Sequence, residues 1–485
     1  MKPYLKFCLS AAAFTLFSLS PFKAFASGHV SLPAIFSDHM VLQSDAKVPV
    51  WGRAEPGEQV TVTIAGQIKS TTTNTDGRWR IDLDKLRAGG PFILAVQAKE
   101  TVIINDVLVG EVWLCSGQSN MRMKVSDVAN AKQEEAAADF PKIRMFTVYS
   151  APAVTPLENC SGRWEICSPE TAKDFSATAY FFGREIYKSL SVPVGLIHSS
   201  VGGTPIEAWT SMEAQENTPG LKPVLEKWKR EAKAHPPTQY PANLFNSKIA
   251  PLIPYAIRGT VWYQGEFNSN PYTPYWISRL YGLQLETMVK DWRAHWGQGD
   301  FPFCWVQLPG FHRLQTAAVE NKSGWALVRE GMLKALSLPN TGMAIAVDLG
   351  DAKDLHPKNK QDVGKRLAAW VLAKIYGKNI TASGPLPAGY EIHDDEVVIS
   401  FNYADGGLSA RNGQLKGFAI AGPNKKWFKA KARIEGDKVI VSCLRVKHPI
   451  AVRYGWADNP DCNLYNGAGL PASPFRTDNF TDFNH

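Results

Sequence analysis

The sequence predicts an α/β protein: a parallel sheet flanked by helices, with β-sandwich-like modules before and after it. Three observations carry the prediction. Between residues 109 and 377, the apolar runs Glu111–Cys115, Val194–His198, Gly259–Tyr263, Phe303–Leu308 and Met343–Val347 alternate with stretches of helical period. That alternation is expected of strands buried on both faces with helices packed between them. Residues 27–108 instead carry short alternating runs separated by turn residues, and residues 378–485 return to strand-like runs.

Residues 1–26 read as a signal peptide. Lys2 and Lys6 form a basic start, Leu9 to Leu19 is apolar or small, and Ala24-Phe25-Ala26 offers a small-x-small cleavage site. The run is shorter than the roughly 20 residues a bilayer span needs; a buried first helix is the alternative. Cys8 lies inside the run rather than after it, so no lipid anchor or other stable membrane anchor is expected. The expectation is an exported protein, periplasmic or secreted.

In the first module, Val48–Gly52, Gln59–Ile64 and Phe92–Val96 read as strands, and Asp76-Gly77 between two strand-like segments predicts a hairpin. In the central region, Asp174–Leu190 places Phe175, Tyr180, Phe182, Ile186 and Leu190 at helical spacing, and Asp362–Tyr376 is likewise helical. Beyond Gly377, Glu396–Phe401, Gly417–Ala421 and Lys438–Ser442 are the expected strands.

The 485 residues are 45% hydrophobic and 20% charged, which excludes a disordered chain, a collagen or a multi-span membrane protein. The formal charge is +8, and Lys2, Lys6 and Lys23 of the leader supply three of those charges. No block of Lys and Arg tracks along a surface, so nucleic acid is not an expected partner. Beyond Cys8 there are Cys115, Cys160, Cys167, Cys304, Cys443 and Cys462. Export permits disulfides; Cys160 with Cys167 and Cys443 with Cys462 are the plausible pairs, and the connectivity stays open. The spacing contains no zinc pattern, and no cofactor or metal is expected.

Polar residues gather where the central strands end, the place where α/β sheets form their sites. Cys115 is followed by Ser116-Gly117-Gln118-Ser119-Asn120-Met121, which sets Ser119 on a strand-to-helix turn as an exposed nucleophile would be. Met121 occupies the position where an α/β-hydrolase elbow needs glycine, so that elbow is disfavoured; a serine capping the next helix is the alternative. Gly202 and Gly203 follow another strand, where their N–H groups can approach a ligand or their small size can serve strand–helix packing. Gln264-Gly265-Glu266 ends a third strand with an amide and a carboxylate, though turn chemistry alone explains such a sequence equally well. In Asp348–Pro357, Asp354 lies two residues from His356 and can fix its tautomer, which predicts an imidazole pKa at or above the free value of about 6.5. A surface-loop histidine is the alternative. Together the four segments supply the parts of acyl transfer: nucleophile, base, orienter and oxyanion donors.

These residues identify a resemblance. Val112–Met121, Gly202-Gly203-Thr204-Pro205-Ile206-Glu207-Ala208-Trp209, Trp262–Glu266, Asp354-Leu355-His356-Pro357 and the tail Gly467–Asp478 resemble the bacterial sialate O-acetylesterase family of SGNH-type hydrolases. The resemblance spans nearly all of the chain after the leader. It implies an SGNH-type fold and a carbohydrate esterase that needs no cofactor and removes acetyl groups from O-acetylated sugars. It implies Ser119 as nucleophile, His356 as base and Asp354 as orienter. The oxyanion hole would comprise Ser119 N–H, Gly202 or Gly203 N–H, and the Gln264 side chain. Asp354 and His356 have one residue between them where the wider group has two, and Gln264 stands where many relatives use asparagine. Arg122 and Phe267 depart from the family pattern, so with Glu266 they are expected to shape the substrate pocket. The competing reading is an exported carbohydrate-binding protein whose hydrolase-like domain is inactive.

Overall fold

A computed structural model describes residues 29–270 and 273–480; the expected signal peptide lies outside the described residues. The strand order across the central sheet is Thr341–Ile345, Phe303–Gln307, Gly259–Tyr263, Thr101–Gly117, Val194–Ser200, Phe140–Thr147 and Trp164–Cys167. All neighbours run parallel except the last pair, which is antiparallel. Every apolar run read from the central region is in this sheet. Two further strands of the sheet, Phe140–Thr147 and Trp164–Cys167, are absent from the sequence reading, because charges interrupt their apolar pattern. Arg144 is buried in the first of them and is neutralised by Asp106, at 2.6 and 3.2 Å.

The sheet is buried on both faces. Along the central strand, Val112 and Leu114 join one core while Trp113 and Cys115 join the other. Helices Ala177–Leu190 and Lys360–Lys374 cover the second face, and Tyr281–Trp296 and Gly324–Lys334 cover the first. The first two helices begin where polar caps allow. Ser176 Oγ accepts from Ala179 N–H, and the Asn359 side chain accepts from Asp362 N–H at 3.1 Å. The second cap starts the helix two residues before its sequence-predicted beginning.

The central strand is much longer than its apolar run. Thr101–Gly117 begins in the N-terminal sheet, where it pairs with Gly89–Gln97, and continues unbroken into the parallel sheet. It therefore crosses the boundary expected near residue 108. Glu111 marks the junction: its carboxylate accepts from Arg258 Nε at 2.6 Å and Nη2 at 3.0 Å, Tyr376 Oη at 2.6 Å, Ser44 Oγ at 3.1 Å and Gln43 Nε2 at 3.3 Å.

Two expectations need correction. Asp76-Gly77 turns the chain but closes no hairpin, because Gln67–Thr72 pairs with Gln59–Ile64 while Arg78–Leu83 pairs with Val48–Arg53 in a separate sheet. Asn74 Oδ1 accepts from the N–H groups of Asp76 and Arg78, and Gly77 takes φ +73°, so the turn carries the chain between sheets. The six described cysteines are all free. Cys160 and Cys167, close in sequence, belong to cores on opposite faces of the central sheet.

The C-terminal strands form two four-stranded antiparallel sheets and a two-stranded one, Leu408–Ala410 with Leu464–Asn466, around one core. Arg329 binds this module to the central sheet: fully buried, it donates to the carbonyls of Leu308, Pro309, Ala457 and Asp458 at 2.7–2.9 Å. Arg476 adds a two-bond pairing with Glu330, at 2.9 and 3.0 Å.

Glu111→Ala leaves Arg258 without its anion at a half-buried junction. Urea unfolding should show a loss of roughly 3 kcal/mol; a change below about 1 kcal/mol would mean that the junction does not depend on this carboxylate.

Candidate active site

Register assembles the site. Gly117, near the end of the central strand, pairs with Ser200 on one side and Tyr263 on the other. The three segments that leave these strands, carrying Ser119, Gly202 and Gln264, therefore emerge at one edge. Gly117 has φ +144°, and a β-carbon there would fall 2.1 Å from Tyr263 O, so only glycine fits the turn that presents Ser119. Ser119 opens the short helix Ser119–Arg122. Ser176 Oγ donates to Met121 O at 2.6 Å and Thr178 Oγ1 donates to Asn120 O at 3.2 Å, fastening that turn to the helix behind it.

Ser119, Gly202, His198, Arg122 and His356 line one open cleft of about 1170 Å³. A β-carbon at Gly202 would lie 3.5 Å from that of Ser119. Gly203 does not line this cleft, and its carbonyl accepts from Gln239 Nε2 at 2.9 Å. Between the two glycines, Gly202 is the one beside the serine.

His356 is half-buried, and its Nε2 is enclosed without a hydrogen-bond partner. Asp354 lies beside it, but Oδ1 is 3.7 Å from Nδ1, too long for a hydrogen bond. The same oxygen accepts the backbone N–H of His356 at 2.8 Å. Asp354 thus orders the loop and acts on the ring electrostatically. Burial lowers the imidazole pKa, Asp354 opposes the shift, and Lys360 and Lys358 add to it. The value lies below the ordinary one, whereas Asp354 pairing alone predicts a value at or above it; burial outweighs a carboxylate at this distance.

Gln264 does not serve as sequence and resemblance suggest. Wholly buried, it donates through Nε2 to Thr204 O at 3.0 Å and Asn268 Oδ1 at 2.8 Å, while its Oε1 accepts from Tyr281 Oη at 2.8 Å. Both amide hydrogens are committed, so none is free for an oxyanion; the side chain braces the turn after Gly202 from behind. Glu266 is also buried away from the cleft, its Oε1 accepting from Asn120 Nδ2 at 2.5 Å, and burial raises its pKa. Phe267 lines a separate pocket of about 230 Å³ with Trp228 and His235. Of the three pocket-shaping candidates, only Arg122 stands in the cleft with Ser119.

His198, Lys248, Asn120 and Lys360 were not singled out from the sequence. His198 walls the cleft, donating to or accepting from Ser200 Oγ at 2.6 Å, and its pKa is pushed down to about 3 by burial, Lys248 and Arg122. It stays neutral. Its position at the end of a strand was the available signal. Lys248 is buried with Nζ on Val148 O at 2.7 Å, and burial lowers it to about 8. Around the cleft mouth, Lys124 pairs with Asp174 at 2.8 Å and Arg163 with Glu165 at 2.9 Å. Arg122 makes no ion pair among the described residues. No group of three His, Cys, Asp or Glu side chains among the described residues is placed to hold a metal ion.

Comparison with known proteins gives the family and the fold. The family model for carbohydrate esterase, sialic acid-specific acetylesterase, matches residues 109–373. Sialate O-acetylesterases of Homo sapiens and Mus musculus are each 32% identical, over 90% of this chain and over 91% and 92% of their own. The crystal structure of a carbohydrate acetylesterase from Xanthomonas citri superposes with a TM-score of 0.84 at 36% identity, covering 93% of this chain and 100% of its own. The shared sheet, its flanking helices and the matched length leave one assignment: this chain belongs to the sialic acid-specific acetylesterase family of carbohydrate esterases and is a carboxylic ester hydrolase.

Proposed function

We propose that the chain removes acetyl groups from sugar hydroxyls through an acetyl-enzyme formed on Ser119. The observation that carries this reading is the shared cleft: Ser119, Gly202 and His356 all line it, and His356 Nε2 is enclosed with no hydrogen-bond partner among the described residues. Ser119 Oγ attacks the acetyl carbonyl as His356 Nε2 takes its proton. The N–H groups of Ser119 and Gly202 stabilise the oxyanion, each donor of this kind typically contributing about 10²–10³ in rate. Collapse breaks the ester bond to the sugar oxygen, which receives the proton from His356. Water, deprotonated by the same imidazole, then releases acetate and restores Ser119. The leader-like residues 1–26 support export to the periplasm or medium, where the processed chain should begin at Ser27 by N-terminal sequencing; an unprocessed Met1 on the exported protein would count against it.

The substrate reading rests on Arg122. An unpaired guanidinium three residues from Ser119 suits the carboxylate of an acidic sugar, which it can grip with two hydrogen bonds. Acetylated sialosides are therefore the favoured substrates over neutral acetylated xylo-oligosaccharides. Acetate released from a panel of both should favour the sialosides, and Arg122→Ala should raise KM for sialosides while barely moving it for the neutral esters. Equal effects on both would remove Arg122 from carboxylate recognition.

Ser119→Ala and His356→Ala should each abolish acetate release from 4-nitrophenyl acetate while the proteins remain folded. A binding protein without activity would release none even as wild type. Asp354→Asn should cost less than the about 10⁴ seen when the carboxylate of a protease triad is replaced, because its contact with the ring is long. The base works as neutral imidazole, so activity should rise with pH through a midpoint below about 6.5, since burial lowers the His356 pKa. A midpoint above that value would mean that Asp354, not burial, governs the ring.

A further inference from the structure

Lys360 is wholly buried, yet the chemistry above gives it no part. It opens the helix Lys360–Lys374, where the helix dipole disfavours a cation, and burial lowers its ammonium to about 7. Such a lysine needs partners, and it has them. Nζ donates to Asn120 Oδ1 at 2.8 Å and to Pro357 O at 2.6 Å, and it lies 5.5 Å from the centre of the Tyr263 ring. Asn120, the residue after Ser119, is itself fully buried and donates from Nδ2 to Leu355 O at 3.1 Å and to Glu266 Oε1 at 2.5 Å. The two carbonyls held in this way, Leu355 and Pro357, flank His356. One amide beside the nucleophile grips the chain before the base, and one amine joins that amide to the chain after it.

We propose that Asn120 and Lys360 form a clamp that sets the separation of Ser119 and His356, Lys360 being a positioning residue for ester hydrolysis. The inference rests on the assignment of Ser119 and His356 made above. Neither Asn120 nor Lys360 lines the cleft, so the clamp acts from behind it. An amine keeps at least two N–H donors whether protonated or neutral, so both hydrogen bonds survive its titration. Glu266 supplies the nearby negative charge that favours the ammonium, reaching it through Asn120. Moving a reacting group by about 1 Å is enough to cost about 10²-fold in rate, which makes such a clamp consequential.

The test uses the full chain with 4-nitrophenyl acetate and an acetylated sugar. Lys360→Met keeps the length of the side chain and removes both donors; kcat should fall about a hundredfold while KM stays within about threefold. The charged groups facing His356 are Asp354, Lys358 and Lys360, and loss of the Lys360 charge should move the acid limb of the pH profile to higher pH. Asn120→Ala should reproduce the kcat-selective loss, and the double variant should be little worse than the poorer single. A structural lysine alone would lower the Tm but leave kcat in place at temperatures where the variant is folded. Unchanged kcat in Lys360→Met, or losses that multiply in the double variant, overturns the clamp. If Lys360→Met does not fold, Asn120→Ala decides the matter by the same kcat and KM criteria. Ser119→Ala is run alongside: if it is active, the underlying mechanism fails and the clamp with it; if it is inactive beside an unimpaired Lys360→Met, only the clamp fails.

Discussion

The strand Thr101–Gly117 is the constraint on which the rest of the molecule depends. It is at once part of the N-terminal sheet, the middle of the parallel sheet and the lead-in to Ser119. A rigid strand transmits position, so the register that places Gly117 between Ser200 and Tyr263 also decides where Ser119 stands. Glu111, where the strand enters the parallel sheet, closes the junction with a carboxylate that serves both sides of it. The neighbouring strands and helices pack around this axis, with apolar residues alternating between two separate cores.

The candidate site is backed by buried polar groups rather than by surface loops held loosely. Gln264, Glu266, Asn120 and Lys360 are each almost fully enclosed, and each makes at least one hydrogen bond to another part of the site. Burying such groups is costly unless they are paired, and once paired they tolerate little displacement. The result is a supporting layer of fixed geometry under a wide, wet cleft. The same burial sets the electrostatics: it holds His198 neutral and lowers His356, while Arg122 lines the cleft with no ion pair among the described residues.

The C-terminal module contributes through Arg329 and Arg476, whose contacts fix the loops after Phe303–Gln307 against residues 457–458 and the tail. Gly350, at the start of the loop bearing Asp354 and His356, is pressed so closely on Gly310 that a β-carbon would fall 1.9 Å from its carbonyl oxygen. The path from the distant module to the base is therefore short and made of packed backbone.

By itself the sequence determined the parts that depend on local pattern. Unbroken apolar runs revealed five of the six parallel strands, helical spacing revealed two of the covering helices, and the polar turns after the strands offered Ser119, the pair Gly202 and Gly203, and His356 as candidates. Their ordered residues also carried the family resemblance. What the tertiary structure alone decided depends on who meets whom across space. Gln264 and Glu266 read as site residues because they follow a strand, but Thr204, Asn268 and Tyr281 take up the Gln264 amide, and Glu266 turns its Oε1 to Asn120. Phe140–Thr147 escaped notice because Arg144 breaks its apolar run, a charge made tolerable only by Asp106 from a different strand. Cys160 and Cys167 looked like a pair until the sheet came between them. Lys360 lay just before the helix read from the sequence, and its burial against Asn120 joins two segments 240 residues apart. Local pattern records backbone preference and hydrophobic period; the ownership of a buried hydrogen bond is settled only when the chain is folded.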